Sequence, residues 1–279
     1  MLKIGDYNTL KVVRAVDFGI YLDGGNGVEI LLPAKFVSGS PQPGDEIEVF
    51  VYTDSEDRLI STTTHPKARV GEFAFLTVKD TNRFGAFLDW GIMAKDLLVP
   101  FREQRARMKT GGTYPVYVYL DDTTKRVVAS AKIEKFLGNL IPEYKAGQEV
   151  SALVLERTPI GFRVIVDNLF LGMIYDNEIY GEIEIGTTVR ARVKHVRPDG
   201  KIDLLMKDPA RERTEALASA LIDYISSRGG VSEITDSSSP ELIKNTFGCS
   251  KKDFKKAVGS LYREHRVKLS PGKIELTGD

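Results

Sequence analysis

The sequence predicts a mostly β protein with a C-terminal α+β domain, and two observations support this fold class. A pattern of short strands occurs three times in the first 208 residues, with 66 and 76 residues between its equivalent glycines, Gly19, Gly85 and Gly161. Beyond residue 208 the apolar residues recur at the spacing of a helix instead of a strand. A chain of 279 residues has room for about two to four domains, so each pattern can form domains of its own.

Each repeat places short apolar strands around glycines and ends in a polar turn. The equivalent glycines stand in the segments VDFGIYLD, RFGAFLD and PIGFRVIVD, and each segment is followed by an apolar run and a strand of strict alternation. Because alternate residues of a strand share one face, the apolar set of each alternating strand faces a core. These sets are Ile47, Val49 and Val51, then Val116, Val118 and Leu120, then Val189, Ala191 and Val193.

The length of the repeat predicts a barrel. About five short strands fit into each unit of roughly 65 residues, and closing so small a sheet removes its exposed edges. We therefore expect three barrels, over residues 1–64, 65–135 and 136–208.

The region 209–279 predicts three helices and a hairpin. The segment TEALASALIDYI has its apolar residues on one helical face. The segment SSSPEL is typical of the start of a second helix, and SKKD forms a capping box at the start of a third. The final segment VKLSPGKIEL predicts two short strands around a turn. Three helices with a terminal hairpin form a winged helix.

Both regions resemble known families. The FG-x-F strand, the apolar run and the late basic turn resemble the S-one (S1) domain, an RNA-binding OB barrel. The second repeat, with RFGAFLD and DDTTKR, is the most similar, and the third is the most diverged. The stretch SPELIKNTFGCSKKDFKKAVGSLYRE resembles the C-terminal domain of the conserved virulence factor B family, whose members join S1-like barrels to a winged helix. This resemblance spans essentially the whole chain and implies RNA binding and a regulatory role in bacterial gene expression.

The resemblance implies a base-stacking pair of aromatic rings in two of the three barrels. The family positions are the Phe of the FG pair and the aromatic residue three positions later. Here these pairs are Phe18 with Tyr21, and Phe84 with Phe87. Ile160 and Arg163 replace them in the third repeat. Strict alternation would put residues three apart on opposite faces, so we expect a bulge at Gly19 or Gly85 that turns both rings outward. The alternative is that the rings fill the barrel interior, because aromatic residues are common in strand cores.

Charge favours the second barrel as the main RNA site. Residues 65–135 carry 13 Lys and Arg against 8 Asp and Glu, whereas residues 1–64 carry 5 against 10. Phosphate contacts supply most of the nonspecific affinity for nucleic acid, so we expect the first barrel to bind weakly. Four cations of the second repeat are expected near Phe84: Lys79, Arg83, Lys125 and Arg126. A further basic cluster follows in the loop FREQRARMK. The alternative is an ordinary solvated charged surface.

The third helix of the C-terminal region carries a second group of cations that could contact phosphates. These are Lys251, Lys252, Lys255, Lys256 and Arg263. The helix lacks a row of Arg, Asn or Gln at its start for reading bases, so contact with a nucleic-acid backbone or with a protein is as consistent with the sequence as base recognition. The alternative is that these residues form the solvated face of an ordinary helix.

No constellation of residues predicts catalysis, a metal site or a cofactor. The histidines His65, His195 and His265 are far apart, and a single cysteine excludes a CxxC zinc site. The first residues lack the pattern of a signal peptide, and no apolar run approaches the length of a membrane span. With one cysteine and therefore no internal disulfide, we expect a cytoplasmic location.

We therefore expect a non-enzymatic protein whose partner is single-stranded RNA, with no membrane contact and no small-molecule substrate. Two alternatives stay open. One is a regulator that binds duplex DNA through the winged helix, and the other is a scaffold that docks on the ribosome or on RNA polymerase.

Overall fold

The computed structural model describes residues 2–93, 95–206 and 209–277. The chain forms two compact units, one of residues 1–177 and 183–204, and one of residues 178–182 and 205–279. The first unit contains three barrels, and the second contains the helices and a small sheet. The fold class predicted from the sequence is confirmed.

The three barrels share one strand order. The strands of the first are β1 (Asp6–Val16), β2 (Gly19–Asp23), β3 (Glu29–Pro33), β4 (Glu46–Thr53) and β5 (Leu59–Thr62). Those of the second are β6 (Phe73–Thr81), β7 (Gly85–Ile92), β8 (Lys95–Pro100), β9 (Thr113–Leu120) and β10 (Val127–Ser130). Those of the third are β11 (Glu149–Thr158), β12 (Gly161–Val166), β13 (Phe170–Tyr175), β14 (Thr188–Val196) and β15 (Ile202–Met206). The first and third sheets are closed, in the order β1-β2-β3-β5-β4 and its equivalent. The second has the order β10-β9-β6-β7-β8, and its end strands β10 and β8 are in contact.

The repeated glycine is explained by a close backbone approach. Gly19, Gly85 and Gly161 have φ angles of +153°, +155° and +152°, in the range that side chains rarely adopt. In each barrel an added Cβ would collide with a carbonyl oxygen of the facing strand, such as that of Val99 opposite Gly85. The register irregularity lies on the other neighbouring strand, for example between Val78 and Asp80 of β6. The bulge expected at the glycine is therefore one strand away, and the sequence reasoning on its position was wrong.

A buried tryptophan joins the first two barrels. Trp90 of β7 is fully buried, and its ring centroid lies 5.5 Å from that of Phe50 and 6.3 Å from that of Tyr52, both on β4. Its indole N–H donates a 2.7 Å hydrogen bond to the carbonyl oxygen of Ala68 in the connecting segment. Because Val49 and Val51 fill the first barrel's own core, both faces of β4 are apolar and buried. The two barrels therefore share a continuous core.

A second interface joins the middle and third barrels. The ring of Tyr117 on β9 lies 4.7 Å from that of Phe73 and is stacked at 4.1 Å on that of Phe136. This cluster includes Leu155 and Ile165 of the third barrel, and both are buried. Ile165 lies on the outer face of β12, so the middle barrel covers part of that face.

The second unit has the predicted architecture of a winged helix. Its helices are α1 (Pro209–Ser226), α2 (Pro240–Phe247) and α3 (Lys251–Arg263), and its strands β16 (Val231–Ser232), β17 (Val267–Ser270) and β18 (Lys273–Leu276) form a sheet in the order β16-β18-β17. Ser239 caps α2 by accepting from the amide of Leu242, and Ser250 caps α3 by accepting from that of Asp253. Phe254 of α3 is fully buried in the core between the helices and the sheet. Among the described residues, no helix has the length and apolar character needed to span a membrane.

Candidate nucleic-acid interface

Phe84 stands exposed at the turn between β6 and β7. Its side chain is 56% exposed, and its amide donates a 2.8 Å hydrogen bond to the Asn82 side-chain oxygen, which fixes the turn. The guanidinium carbon of Arg83 lies 4.8 Å from the Phe84 ring centroid. An open ring beside a cation is suited to stack on a base while the cation meets a phosphate.

A second exposed ring, Phe101, stands at the same end of the β7–β8 hairpin as Phe84. Gly85 pairs with Pro100 at the end of the β7–β8 hairpin, and Phe84 and Phe101 each lie one residue beyond that pair, Phe101 as the first residue of a short 3-10 helix. The Phe101 side chain is 38% exposed, and the Arg107 guanidinium carbon lies 4.6 Å from its ring centroid. The sequence reasoning missed Phe101, although an aromatic residue between a strand end and a run of arginines was a signal. We call Phe84, Phe101, Arg83 and Arg107 the Phe84 site.

Phe87 is less open than Phe84. It is half-buried on the outer face of β7, where it pairs with Asp80 on one side and with Leu98 on the other. It therefore lies outside the barrel core, as the resemblance implied, and presents part of its ring to solvent. Its cross-strand partner Asp80 carries a negative charge, not a positive one.

Lys79 is already engaged by carboxylates. Its ammonium group lies 3.0 Å from a carboxylate oxygen of Asp96 and 3.2 Å from one of Asp89. The pKa of Lys79 is raised by the hydrogen bonds that it donates to these two carboxylates, first that to Asp96 and then that to Asp89. The hydrogen bond from Lys67, followed by that from Lys79, holds the pKa of Asp89 at about 2. A phosphate that reached Lys79 would have to compete with two ionised carboxylates.

Arg126 points toward the first barrel. Its guanidinium group binds the carboxylate of Asp57 in the β4–β5 turn, with 2.6 Å between Nη2 and Oδ2, and this contact lowers the pKa of Asp57. Burial lowers the pKa of Lys95, and the nearby charge of Arg126 lowers it further. Lys95 begins β8 and Pro100 ends it, so Arg126 is separated from Phe84 by roughly 16 Å of strand. The expectation that Arg126 lies beside Phe84 was wrong, because its carboxylate partner comes from another barrel.

Lys125 occupies the same turn as Arg126. Its ammonium group lies 3.9 Å from a carboxylate oxygen of Asp122, and its side chain is largely exposed. Its φ of +56° places it in the left-handed region, at the tight end of the β9–β10 turn. An RNA contact by Lys125 stays a prediction.

The first barrel carries a more complete aromatic site than its net charge suggested. Phe18 is 59% exposed, and its ring centroid lies 6.4 Å from that of Tyr21 in an edge-to-face arrangement. The guanidinium carbon of Arg14 lies 4.1 Å from the Tyr21 ring centroid, and Glu29 binds Arg14 at 2.7 Å. We call Phe18, Tyr21 and Arg14 the Tyr21 site. The charge of the whole barrel is negative, but the residue paired with its half-buried ring is a cation.

The same strand position differs in the three barrels. Arg14 pairs with Tyr21 in the first, Asp80 pairs with Phe87 in the second, and Glu156 pairs with Arg163 in the third. In the third barrel Glu156 binds Arg163 at 2.8 Å, so an ion pair replaces the ring. Ile160, which takes the place of Phe84, is exposed but has no aromatic character.

The cations of α3 divide into two groups. Lys251 donates a 2.8 Å hydrogen bond to the carbonyl oxygen of Ser238, so it fixes the loop before α2. Lys255 lies 3.9 Å from a carboxylate oxygen of Asp236. The remaining three face solvent on the outer side of the helix: Lys252, Lys256 and Arg263.

The arrangement of the described His, Cys, Asp and Glu residues bears on metal binding. Within the described ranges, no group of His, Cys, Asp and Glu side chains has the geometry to hold a metal ion. Cys249 is half-buried, and this burial raises the pKa of its thiol, which therefore stays protonated near neutral pH.

Comparison with protein families identifies both kinds of domain. The S1 domain family matches residues 4–64 and 70–132, which include the Tyr21 site and the Phe84 site. The CvfB-like winged helix domain family matches residues 219–276. Neither is a family of enzymes.

Similar proteins extend over nearly the whole chain. The Bacillus subtilis protein YitL is 27% identical over 277 residues, which cover 95% of this chain and 91% of that protein. Conserved virulence factor B of Staphylococcus epidermidis is 25% identical over 283 residues, which cover 98% of this chain and 95% of that protein. A solved structure of a multidomain protein with nucleic acid binding domains from Streptococcus pneumoniae is 25% identical over 98% of both chains, with a TM-score of 0.41.

Proposed function

We propose that this chain, which combines S1 domains with a CvfB-like winged helix and so belongs to the conserved virulence factor B family, binds single-stranded RNA and regulates gene expression after transcription. Its S1 domains and winged helix indicate nucleic-acid binding in general. The choice of RNA, of single strands and of a regulatory role without catalysis is the proposal. The proposal includes a cytoplasmic location, because single-stranded RNA is found in the cytoplasm.

One observation carries the proposal: Phe84 and Phe101 stand exposed at the same end of the β7–β8 hairpin, each with an arginine against its ring. Exposure of a large apolar ring to water is unfavourable, so two exposed rings at one end of a hairpin indicate a binding site. The stacking of a base on such a ring contributes about 1–3 kcal/mol. Unpaired bases can reach the rings, whereas the bases of a duplex are stacked on one another, so a single strand is the better ligand.

Replacing both rings tests this proposal. We expect the Phe84→Ala/Phe101→Ala variant to bind an unstructured RNA oligonucleotide roughly 30- to 20,000-fold more weakly, because two stacking contacts of about 1–3 kcal/mol each are lost. Affinity is measured by fluorescence anisotropy at two salt concentrations, and circular dichroism checks that the variant is folded. Ile160→Ala is the matched control, because it removes an exposed apolar side chain at the equivalent position of the third barrel.

Two outcomes would contradict the proposal. Unchanged RNA affinity in the folded double variant would show that the Phe84 site does not bind RNA. An equal loss in the Ile160→Ala control would show that removal of any exposed apolar side chain at this position has the same effect.

The outer face of α3 supports a second candidate function, the binding of duplex DNA. Lys252, Lys256 and Arg263 present their side chains to solvent along one side of this helix. Replacing Lys252 and Lys256 by Ala in the full chain should weaken binding to duplex DNA and reduce its salt dependence, if this candidate is correct. Unchanged duplex affinity in that variant would reject it.

A further inference from the structure

The first two barrels are held together by contacts other than the shared core around Trp90. The carboxylate of Asp57 binds Arg126, and the backbone oxygen of Asp54 accepts a 3.3 Å hydrogen bond from Lys95. The amide of Val70 donates a 2.9 Å hydrogen bond to the carbonyl oxygen of Gly5. Buried aromatic contacts with a polar rim leave the two barrels little freedom to move against each other.

The segment that connects the two barrels is not a flexible linker. The hydroxyl group of Thr63 donates a 2.8 Å hydrogen bond to the carbonyl oxygen of Phe36 in the first barrel. The amide of Lys67 donates a 2.8 Å hydrogen bond to the carbonyl oxygen of Trp90 in the second. Because the connection is bonded to both barrels within five residues, their relative orientation is fixed by the fold.

The Tyr21 site lies close to this interface. Tyr21 pairs with Leu31 of β3, and Leu31 pairs with Ile60 of β5, two residues beyond Arg58. Arg58 and Asp57 are neighbours in the β4–β5 turn, and Asp57 contacts the second barrel through Arg126. The strand that follows this turn therefore lies two strands away from Tyr21, on the side where the first barrel meets the second.

The Phe84 site lies one hairpin length away from the interface. At the near end of the β7–β8 hairpin, the Lys35 ammonium group contacts the sulfur of Met93 at 3.8 Å, and the neighbouring Ala34 amide is bonded to the carbonyl oxygen of Phe18. At the far end, Gly85 and Pro100 lead to Phe84 and Phe101. Strand β7 has 8 residues, so the hairpin separates its two ends by roughly 23 Å.

We propose that the Tyr21 site and the Phe84 site form one bivalent surface on which a single RNA strand binds both barrels at once. This inference rests on the proposed function and specifies its ligand, an unstructured strand long enough to reach from one site to the other. An OB barrel occupies about 4–16 nucleotides, so roughly 5 nucleotides fill one site and about 20 can fill both. Once one site is bound, a rigid arrangement holds the strand near the other, and the overall affinity rises by roughly 10²- to 10⁴-fold.

An RNA length series with matched variants tests the inference. The probes are labelled oligouridines of roughly 5 and about 20 nucleotides, titrated against the full chain and followed by NMR for the short probe and by anisotropy for the long one. The variants are Phe18→Ala/Tyr21→Ala, Phe84→Ala/Phe101→Ala and their combination, with Ile160→Ala as control. Leu versions of each pair replace the Ala versions if circular dichroism shows unfolding.

The bivalent surface predicts a characteristic pattern. The long probe should bind the unaltered chain at least about 100-fold more tightly than the short probe. Each double variant should bring the long-probe affinity close to that of the short probe, while short-probe affinity falls only about two-fold because one of two sites is lost. The combined variant should bind neither probe.

Other patterns would overturn the inference. If only one double variant weakens the long probe, a single site binds RNA, and the proposed function stands without bivalency. If each double variant lowers the affinity for the long probe by only about two-fold, the two sites act independently and the inference is wrong. If the unaltered chain binds neither probe, the proposed function itself fails.

Discussion

Replacing Phe50 by Ala tests whether the first two barrels unfold as one unit. Phe50 belongs to the first barrel but is fully buried, with its ring centroid 5.5 Å from that of Trp90 in the second barrel. It also contacts the ring of Tyr7 at 5.5 Å and that of Tyr52 at 6.3 Å. The substitution thus removes a ring on which side chains from both barrels pack.

The size of the effect follows from these contacts. Truncating a fully buried Phe to Ala costs about 3–5 kcal/mol, because the transfer free energy is lost and a cavity stays behind. Aromatic pairs add about 0.5–1.5 kcal/mol beyond their buried area, which favours the upper half of that range. If the free energy of unfolding falls by about 2 kcal/mol per molar urea, a loss of about 4 kcal/mol of that free energy lowers the urea midpoint by about 2 M.

Tryptophan fluorescence is the probe for this measurement. Trp90 is the single tryptophan of the chain, so its fluorescence reports on the contact between the two barrels. The urea transition followed by tryptophan emission should shift as a whole in the Phe50→Ala variant. Glu48→Ala is the control, because Glu48 is exposed on the same strand and its removal should change the free energy of unfolding by less than about 0.5 kcal/mol.

A separate unfolding of the first barrel would refute this reasoning. In that case the Trp90 transition of the Phe50→Ala variant would keep its original midpoint, while circular dichroism would show an earlier loss of part of the β-structure. The shared core would then not couple the barrels, and the bivalent surface would lose its rigid basis.

Three further predictions address single residues of the second barrel. Gly85→Ala should lower the free energy of unfolding by more than about 3 kcal/mol in thermal unfolding, because the added Cβ meets a backbone oxygen that cannot move aside. Gly111→Ala is the control and should lower it by only about 1 kcal/mol, because its φ is positive but its Cβ meets open space. Equal losses in the two variants would contradict the close-approach argument. The pKa of Asp89 is lowered from 3.8 to about 2, so its ionised carboxylate stabilises the fold above the unfolded pKa, and this contribution is lost as the pH falls through about 2. The unaltered chain should therefore be more stable than Asp89→Asn near neutral pH but not in acid. An NMR titration midpoint of Asp89 near 4 would exclude the contribution. Asp80→Arg places a cation opposite Phe87, as Arg14 lies opposite Tyr21 in the first barrel. This variant should bind RNA several-fold more tightly, with a steeper salt dependence. A lower affinity would show that the Asp80 carboxylate itself contributes to RNA binding.

Much of the fold followed from periodicity. The alternation of apolar residues predicted the core faces of β9 and β14, where Val116, Val118, Ala191 and Val193 are buried as expected. The helix caps at Ser239 and Ser250 were also predicted, since their side chains bond to amides only two or three positions further along the chain. Such features depend on neighbouring residues alone.

The candidate site was predictable only in part. The exposure of Phe18 and Phe84 agrees with the expectation from the resemblance, and both lie next to glycines that the repeat identified. Phe101 was missed, because its nearness to Phe84 depends on the pairing of β7 with β8. The charge of a whole segment does not give the pairing of its cations: Arg14 lies on a ring and binds Glu29 in the acidic barrel, and Lys79 binds two carboxylates in the basic one.

The sequence by itself determined which residues form strands and helices, and that a glycine recurs at one point of every barrel. Those features arise from side-chain alternation and from steric limits that act within a strand and its neighbour. Only the tertiary structure decided how the charges and rings are paired. Arg126 and Asp57 are 69 positions apart, and Trp90 packs on a ring from another barrel. Contacts between elements distant in sequence depend on how folded surfaces meet, and local patterns carry no record of that geometry.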